Sequence, residues 1–207
     1  TGMAWEPYPM SLRIVNWVKW YLQGGNLNEE LSKLLIVQTR FLFKNIEFHI
    51  LGNHVFANAK ALIFAGVIFE GKEADRWFHK GNKIFKRELK EQILNDGGNF
   101  ELSPMYHCIF LEDILDIINL HKTYNIKFPS SLIYKVEKMF LWLESMTHPD
   151  GEISFFNDTA LFIAPNLEKL FSYANRLNLK IRKQNKIYID LKDSGYCFIS
   201  NRNMKVI

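Results

Sequence analysis

The stretch DGGNFELSPMYH, residues 96–107, joins a turn to an unusual set of polar side chains. Its first three residues are a turn signal, because Asp accepts backbone hydrogen bonds and Gly tolerates positive φ. A carboxylate, Glu101, and two ring side chains, Tyr106 and His107, then surround a serine and a proline. The rest of the chain has the pattern of helices, so this group of polar side chains in one short loop indicates a loop that lines a catalytic cleft.

A second stretch, PDGEISFFNDTA (residues 149–160), repeats the arrangement of a helix, an Asp-Gly turn, an extended segment and a new helix. The segment FHILGNH (residues 48–54) precedes the first turn by a similar interval. Connections that recur with helices between them predict repeated antiparallel helical hairpins. Such hairpins stack either into a solenoid or into an (α/α) toroid. If the repeated loops lie at one end of the hairpins, they line one surface.

Hydrophobic periodicity predicts helices along most of the chain and a change of pattern near its end. The last 22 residues, KIYIDLKDSGYCFISNRNMKVI, alternate apolar and polar side chains and are rich in β-branched and aromatic residues, which predicts strands. The predicted helices share an apolar face at helical spacing; they cover residues 9–23, 28–47, 53–69 and 73–94, a segment that starts near 105, and residues 130–145 and 166–177.

Composition excludes several classes of protein. Apolar residues make up 48% of the chain and charged residues 23%, which is typical of a globular domain. The formal net charge of +4 is compatible with an anionic ligand. We expect no nucleic-acid partner, because the most basic segment, KGNKIFKRELKEQ (residues 80–92), has the spacing of a solvated helix face. We expect no membrane span, because ALIFAGVIF (residues 61–69) is too short.

No metal or cofactor motif is present in the sequence. The two cysteines, Cys108 and Cys197, lack metal-ligand spacing, and the apolar neighbours of Cys108 predict a buried thiol. The patterns of zinc proteases, dinucleotide-binding proteins and P-loop NTPases are also missing. The sequence therefore predicts neither a cofactor nor a metal site. The first residues contain no apolar segment of a signal peptide.

Two helix starts carry the strongest candidate residues, and each has two interpretations. Asn53, followed by His54, either caps a helix or donates its amide to an anion near the positive end of the helix dipole. Tyr106 is either a packing residue with a satisfied hydroxyl or a group that transfers protons. His107 could orient that phenol or titrate near neutral pH.

Weaker candidates are polar or aromatic residues near these starts. Arg13 is unusual on an apolar helix face and suits a carboxylate or a sulfate group. His49 and Glu101 flank the two helix starts. A single His is more often a structural residue, and an isolated Glu in a loop is more often solvated. Trp5 and Asn16 belong, with Asn58, to segments in which polar residues stand among aromatic ones.

Four segments together resemble the heparinase II/III-like polysaccharide lyases. The resemblance covers residues 5 to about 165, with SGY (residues 194–196) also in place. The segments occur in the same order as in the family, which makes the resemblance specific for the superfamily. They indicate the substrate much less specifically. The four segments are WEPYPMSLRIVNWVKW, GNHVFANAKALIFAG, ILNDGGNFELSPMYHCIFLEDILDIINL and HPDGEISFFND.

The resemblance implies a mainly α fold, an incomplete (α/α) toroid followed by an antiparallel β-sandwich. On that basis we expect residues 1–180 to form a partial toroid and residues 181–207 to begin a truncated β-sandwich. The family's sandwich supplies a further catalytic His, for which this chain has no counterpart. We therefore expect the chain to be a fragment that requires the missing β-sandwich domain of its parent for activity.

The resemblance also implies β-elimination on an anionic, uronic-acid-containing polysaccharide. In that reaction Asn53, with His54 beside it, neutralises the uronate carboxylate, and Tyr106 is the Brønsted acid and base. His107, His49 and Arg13 are candidate donors to the phenol. Trp5 would stack on a sugar, and Glu101 and Asn157 would line the cleft. The expected substrate-binding residues are Trp5, Arg13, Asn16, His49, Glu101, His107 and Asn157.

Two alternatives to a lyase stay open. One is a non-catalytic glycan-binding or surface-polysaccharide assembly module that keeps the toroid, and the other is a helical-hairpin scaffold that binds another protein. Members of the family commonly act in the bacterial periplasm or outside the cell, so the resemblance implies a periplasmic or secreted parent.

Overall fold

The computed structural model describes residues 2–183, 187–200 and 205–206. In these residues the chain forms a short 3-10 helix, seven α-helices and three short strands. The helices are Met3–Trp5 (3-10), α1 Pro7–Leu22, α2 Glu29–Lys44, α3 Gly52–Ile68, α4 Lys72–Gln92, α5 Pro104–Thr123, α6 Ser130–Ser145 and α7 Leu167–Arg176, and the strands are β1 Tyr188–Leu191, β2 Tyr196–Ser200 and β3 Lys205–Val206.

The predicted helices are confirmed to within three residues at their ends. Asn28 caps α2 by accepting a hydrogen bond from the Leu31 amide at 2.9 Å. Ser103 and Asn166 cap α5 and α7 in the same way. These side chains occupy amide donors that the first turn of a helix leaves without a backbone partner.

The start of α3 differs from the expectation that Asn53 caps it. The helix begins at Gly52, and the N-cap residue is Leu51, which has a φ of 66° and makes no capping hydrogen bond through its side chain. Asn53 therefore lies inside the first turn. Its side chain is not used as a cap, so the capping interpretation is wrong.

Residues Thr1–Leu89 form one compact unit. Its centre is α3, whose residues Val55–Ala65 are all buried, and α1 and α2 pack against it. The Ala-rich sequence of α3 favours this position, because small side chains let neighbouring helices approach closely while the helix buries every face. Arg40 of α2 binds Glu73 of α4 through two parallel hydrogen bonds of 2.8 and 2.7 Å.

Residues Lys90–Ile207 form a second compact unit. Here α5 packs against α6 and α7. The core includes Trp142 of α6, which is fully buried and contacts Ile189, Leu191 and Phe198 of the strands. The indole and these apolar side chains fix the β1–β2 hairpin against the helices.

The repeat seen in the sequence is confirmed in the second unit. Isolated bridges join Ile93 to Asn99 and Thr147 to Ile153, and each pair is 54 residues from its counterpart. Three backbone hydrogen bonds of the first turn recur in the second turn, 54 residues later. In the first turn the amides of residues 94, 97 and 100 donate to the carbonyls of residues 98, 94 and 92, respectively. In the second turn the amides of residues 148, 151 and 154 donate to the carbonyls of residues 152, 148 and 146. In each turn the Asp side chain accepts from the amide two residues later, at 3.0 Å.

The strands form an antiparallel sheet in the order β1-β2-β3. Strands were predicted for residues 186–207, and residues 186, 201–204 and 207 of that segment lie outside the described residues. The hairpin belongs to the same compact unit as α5–α7. Whether residues 181–207 begin a separate β-sandwich domain stays a prediction.

The described residues contain no helix that is long and apolar enough to cross a membrane. Cys108 is fully buried, as predicted, and its burial raises the pKa of the thiol to about 12. Cys197 is exposed and forms no disulfide.

Candidate functional site

A cleft of about 630 Å³ opens in the first unit, next to the start of α1. Trp5 and His49, two of the predicted substrate-binding residues, both line it. Trp5 is 40% exposed, and its ring is held edge-on against Phe41 with 5.3 Å between the ring centroids. A large aromatic face that is both fixed and open to solvent suits a sugar ring.

Asn53 and His54 lie in the first turn of α3, where the amide groups of the helix point outward. Both side chains are half-buried. Among the described residues, no hydrogen bond occupies the Asn53 side chain, so its amide can donate to an approaching group. The helix dipole adds partial positive charge at this end, which favours an anion.

His54 is held between an aromatic ring and a buried carboxylate. Its imidazole stacks on Tyr8 with 4.5 Å between the centroids and an interplanar angle of 30°. Its Nδ1 lies 3.3 Å from an oxygen of Glu47, but the angles do not meet those of a hydrogen bond. The two side chains are therefore in contact without a hydrogen bond.

Glu47 is only 4% exposed and belongs to a polar network that connects three segments. Asn58 of α3 donates through its amide to the Glu47 carboxylate at 3.2 Å and to the Ser11 hydroxyl at 3.0 Å. The Asn58 side-chain oxygen accepts from the Glu47 backbone amide at 3.0 Å. Asn58 thus satisfies buried groups on α1 and on the connection before α3.

Sequence reasoning noted Asn58 as a polar residue among apolar ones but missed Glu47 and Ser11. An isolated Asn inside an otherwise apolar helix was the available signal, because a buried amide needs partners. Which residues supply those partners depends on the packing of three segments.

Arg13 and Asn16 do not line the cleft. The Arg13 Nε donates to Gln38 at 2.6 Å, and its Nη2 donates to the carbonyl of Ala4 at 2.8 Å. The guanidinium therefore ties the 3-10 helix that carries Trp5 to α2. Asn16 is an exposed residue of α1.

In the second unit, Tyr106 lies in the first turn of α5 and is half-buried. Its backbone amide donates to the Ser103 hydroxyl at 3.4 Å, and that hydroxyl also shares a hydrogen bond of 3.0 Å with Thr159. Within the part of the chain that the structure describes, the Tyr106 hydroxyl makes no hydrogen bond. The backbone of Tyr106 is therefore fixed, while the phenol keeps its donor and acceptor for a ligand.

His107 is fully buried, which corrects the expectation that it contacts substrate. Its Nδ1 accepts from the Asn99 amide at 3.2 Å, so Nε2 carries the proton and donates to the Met139 carbonyl at 3.0 Å. The ring stacks on Trp142 at 4.5 Å. Burial lowers the pKa of His107 to about 4, so the ring is neutral at physiological pH and braces the loop.

Asn157 and Glu101 meet where the two repeated loops touch. The Asn157 side chain donates to the carbonyl of Leu102 at 2.8 Å, and more weakly to that of Glu101 at 3.4 Å. Leu102 has a φ of 56°, which is costly for a branched side chain. Asn157 therefore supports the loop before Tyr106, and the two repeated loops lie side by side.

Asp96 fixes the first turn to the β1–β2 hairpin. One of its oxygens accepts from both the amide and the hydroxyl of Ser194, at 2.6 and 2.7 Å. The Trp142 indole donates to the same hydroxyl at 2.9 Å. Sequence reasoning missed Ser194 and Trp142 because they lie far from Asp96 along the chain.

The two strongest candidates lie in different compact units. Asn53 belongs to the first and Tyr106 to the second. The prediction that both face one substrate stays a prediction. Among the described residues, no group of three or more His, Cys, Asp or Glu side chains could hold a metal ion.

Residues 1–179 match the family described as Heparinase II/III N-terminus. The chain belongs to this family. Its relatives include a heparin-sulfate lyase of Bacteroides stercoris, 30% identical over 83% of this chain and 27% of the relative. A heparin-sulfate lyase of Pedobacter heparinus is 37% identical over 52% of this chain and 17% of the relative. The heparinase II/III-like chain thus spans about a quarter of the length of the first relative.

Solved structures of heparinases share the fold of this heparinase II/III-like chain. The heparan sulfate lyase HepC from Pedobacter heparinus aligns with a TM-score of 0.68 and 25% identity, over 94% of this chain and 34% of that one. A structure of heparinase III aligns with a TM-score of 0.72 and 22% identity, over 86% and 29%. The predicted fold class, a mainly α chain with the hairpins of an (α/α) toroid and a few C-terminal strands, is confirmed.

Proposed function

We propose that the protein containing this chain is a polysaccharide lyase that cleaves an anionic, uronic-acid-containing glycan by β-elimination. The observation that carries the proposal is the family match over residues 1–179, combined with unoccupied polar side chains of Asn53 and Tyr106 at two helix starts. The relatives that are named heparin-sulfate lyases support a glycosaminoglycan as the substrate class.

In the proposed reaction a base removes the proton at C5, next to the uronate carboxylate. The electron pair then forms a C4=C5 double bond, and the C4–O bond breaks. The leaving oxygen takes a proton, so the products are a new sugar end and an unsaturated uronate. The carboxylate gains negative charge on the way, and donors placed before the reaction stabilise it.

Asn53 and His54 are the proposed donors to that carboxylate. They lie at the N-terminal end of α3, where the helix dipole and outward amides already favour an anion. Glu47 is the buried partner that faces His54. Stacking on Tyr8 holds the imidazole in place.

Tyr106 is the proposed acid and base. A free phenol has a pKa of about 10, so a nearby donor or cation has to lower it for the base step. His107 does not supply one, because it is buried and neutral. We propose that the missing group is the His of the family's β-sandwich domain, which makes that domain a required partner of this chain. A periplasmic or secreted location follows from a polymeric substrate outside the cell and is part of the same proposal.

The decisive assay offers heparan sulfate, chondroitin and alginate to the complete gene product and follows the absorbance of the new double bond. Tyr106→Phe is expected to lower kcat by about 10²–10⁴, because it removes the proton-transfer group. Asn53→Ala is expected to lower kcat by about 10²–10³, because one donor to the developing charge is lost. Tyr134→Phe is the matched control, since Tyr134 is 58% exposed on α6, and wild-type activity is expected.

The second candidate function is a non-catalytic glycan-binding or surface-polysaccharide assembly module. The cleft of Trp5 favours it, because the cleft is formed within the first unit without any part of Tyr106. Binding without an unsaturated product from folded wild-type protein, and equal affinity in Tyr106→Phe, would replace the lyase proposal with this one.

A further inference from the structure

The outer face of α4 carries a basic side chain at every turn. At 100° per residue, Lys72, Arg76, His79, Lys83 and Lys86 fall within a stripe about 80° wide, and all five are exposed. We call these five residues the α4 ridge. No acidic residue of α4 falls within the stripe, and the ridge extends over about 21 Å at 1.5 Å per residue.

The acidic residue of α4 nearest the ridge is Asp75, which is exposed and lies about 20° outside the stripe. Glu73 and Glu88 lie farther round the helix and have other partners. Glu73 binds Arg40 of α2, and this hydrogen bond is the main cause of the lowered pKa of Glu73. Glu88 is buried and accepts from Arg87 at 2.8 and 2.6 Å. In the described part of the chain, Lys83 and Lys86 form no ion pair.

This charge pattern works against the stability of the helix. Like charges three or four residues apart destabilise a helix, and Lys72–Arg76 and Lys83–Lys86 are such pairs. Lys72 adds to the cost, because a cation at the first position of a helix opposes the helix dipole. Glu29 and Lys33 of α2 show the ordinary arrangement, an i, i+4 pair of opposite sign at 2.6 Å. Apart from Asp75 at its edge, the ridge lacks this support, and a bound polyanion would supply it.

We propose that the α4 ridge is a second binding site for the anionic polysaccharide, separate from the cleft beside Trp5. The regularly spaced charges of the ridge can bind several anionic groups of one polymer at once, whereas a single small ion contacts only one or two of them. The identity of the polymer rests on the proposed function, whereas the binding surface rests on α4 itself.

The side chains of the ridge favour a glycan over a nucleic acid. Four of its five residues are Lys or Arg, and three of these are Lys, which binds as a point charge without the planar fork of Arg. Of the aromatic residues of α4, Trp77 and Phe85 are buried and Phe78 is half-buried, so none is an exposed stacking surface for bases. Charge alone is therefore available, and this suits carboxylate and sulfate groups along a polysaccharide.

The test compares the double variant Lys83→Glu/Lys86→Glu with a matched double variant, Lys180→Glu/Lys192→Glu. Lys180 and Lys192 are exposed and lie in the second unit, so the change in net charge is the same. All proteins also carry Tyr106→Phe, so the polymer stays intact. Binding of fluorescent heparan sulfate is measured at 50 and 200 mM NaCl, with a tetrasaccharide and a DNA duplex of equal charge as comparison ligands.

The ridge variant is expected to bind the long polymer at least about tenfold more weakly at low salt, with a flatter salt dependence. The control variant and the tetrasaccharide are expected to show less than about a twofold change. The thermal midpoint of the ridge variant is expected to rise, because carboxylates at positions 83 and 86 lie four residues before Arg87 and Lys90 and replace repulsion with attraction; a loss of structure would lower it instead.

Equal loss of affinity in both double variants would overturn the proposal, because only net charge would matter. So would unchanged polymer binding in the ridge variant, or tighter binding of the DNA duplex than of the glycan. The binding result is independent of turnover, because every protein in this test carries Tyr106→Phe. If the protein with Tyr106 intact forms no unsaturated product in the assay of the proposed function, that function is refuted, whereas ridge-dependent binding leaves the second site standing.

Discussion

Two turns of the second unit have the same backbone and different surroundings. Residues 93–99 and 147–153 repeat their hydrogen bonds at an offset of 54 residues, and Gly97 and Gly151 have φ values of 99° and 91°. The first turn is enclosed by α6 and the β1–β2 hairpin, whereas Asp150, Gly151 and Glu152 are exposed. Asp-Gly is thus sufficient for the turn, and the packing around it decides whether the turn can hold the loop of Tyr106 rigidly.

The largest effect is expected from Gly97→Ala compared with Gly151→Ala. A Cβ at Gly97 would overlap the α6 backbone near Lys138 and Met139, whereas a Cβ at Gly151 would meet nothing within 4 Å. Both substitutions carry the cost of positive φ, about 1 kcal/mol. Overpacking adds about 3 kcal/mol at Gly97 alone.

Urea denaturation of the two variants measures this difference as free energies of unfolding. The unsubstituted chain is the reference. Equal destabilisation of the two variants would mean that α6 yields to the new methyl group and that the first turn is not tightly enclosed.

The second largest effect is expected from the pH dependence of stability caused by His107. The second turn has no equivalent of this residue, because Leu161 stands 54 residues later at the corresponding position. The unfolded chain binds a proton on this His near pH 6.5, but the folded chain does so only near pH 4. The unfolded state therefore binds more protons between these values, and stability falls as the pH is lowered through this window. The loss is expected to reach about 3 kcal/mol at pH 4.

Urea titrations at pH 7, 5.5 and 4 check this prediction. His107→Gln lacks the titrating ring and is the control, and its stability is expected to depend less on pH over the same range. Parallel pH profiles of the wild-type protein and the variant would show that folding does not lower the pKa of His107.

The smallest of the three effects is expected from Asp96→Asn compared with Asp150→Asn. An Asn at either position keeps the oxygen that accepts from the amide two residues later. Only at Asp96 does the second oxygen also accept from Ser194. The substitution there is expected to cost about 2 kcal/mol, because an NH₂ group replaces an acceptor and leaves the Ser194 amide without its partner.

At Asp150 the same substitution is expected to change the free energy of unfolding by less than about 0.5 kcal/mol. Chemical denaturation monitored by tryptophan fluorescence gives both values, since the Trp142 indole shares the Ser194 hydroxyl. If Asp96→Asn left the free energy of unfolding unchanged, the hairpin would not depend on the charge of this turn.

Most of the fold could be predicted because its signals are local. The helix caps at Asn28 and Asn166, the Asp-Gly turns and the apolar faces each act within a few residues of the chain. The start of α3 was assigned one residue late, because Leu51 takes a positive φ that nothing in its own side chain favours.

The candidate site could be predicted only in part. The positions of Asn53 and Tyr106 in the first turns of two helices could be predicted because helix starts have a local pattern, and Trp5 lies on the cleft, but the roles of these residues stay predictions. His107 was assigned to the cleft because its neighbours in sequence are polar, but α5 turns it inward onto Trp142. Glu47 was missed, since its importance comes from Asn58 and His54, which reach it only after the segments pack.

The sequence by itself determined where helices begin, where the chain turns and that these turns repeat, because such features depend on backbone conformation and hydrogen bonds over a few residues. Tertiary structure decided which of two equal turns is buried, which imidazole is neutral and which carboxylate is enclosed. These properties depend on desolvation by side chains from distant parts of the chain, such as Trp142 around His107. No local pattern specifies that environment.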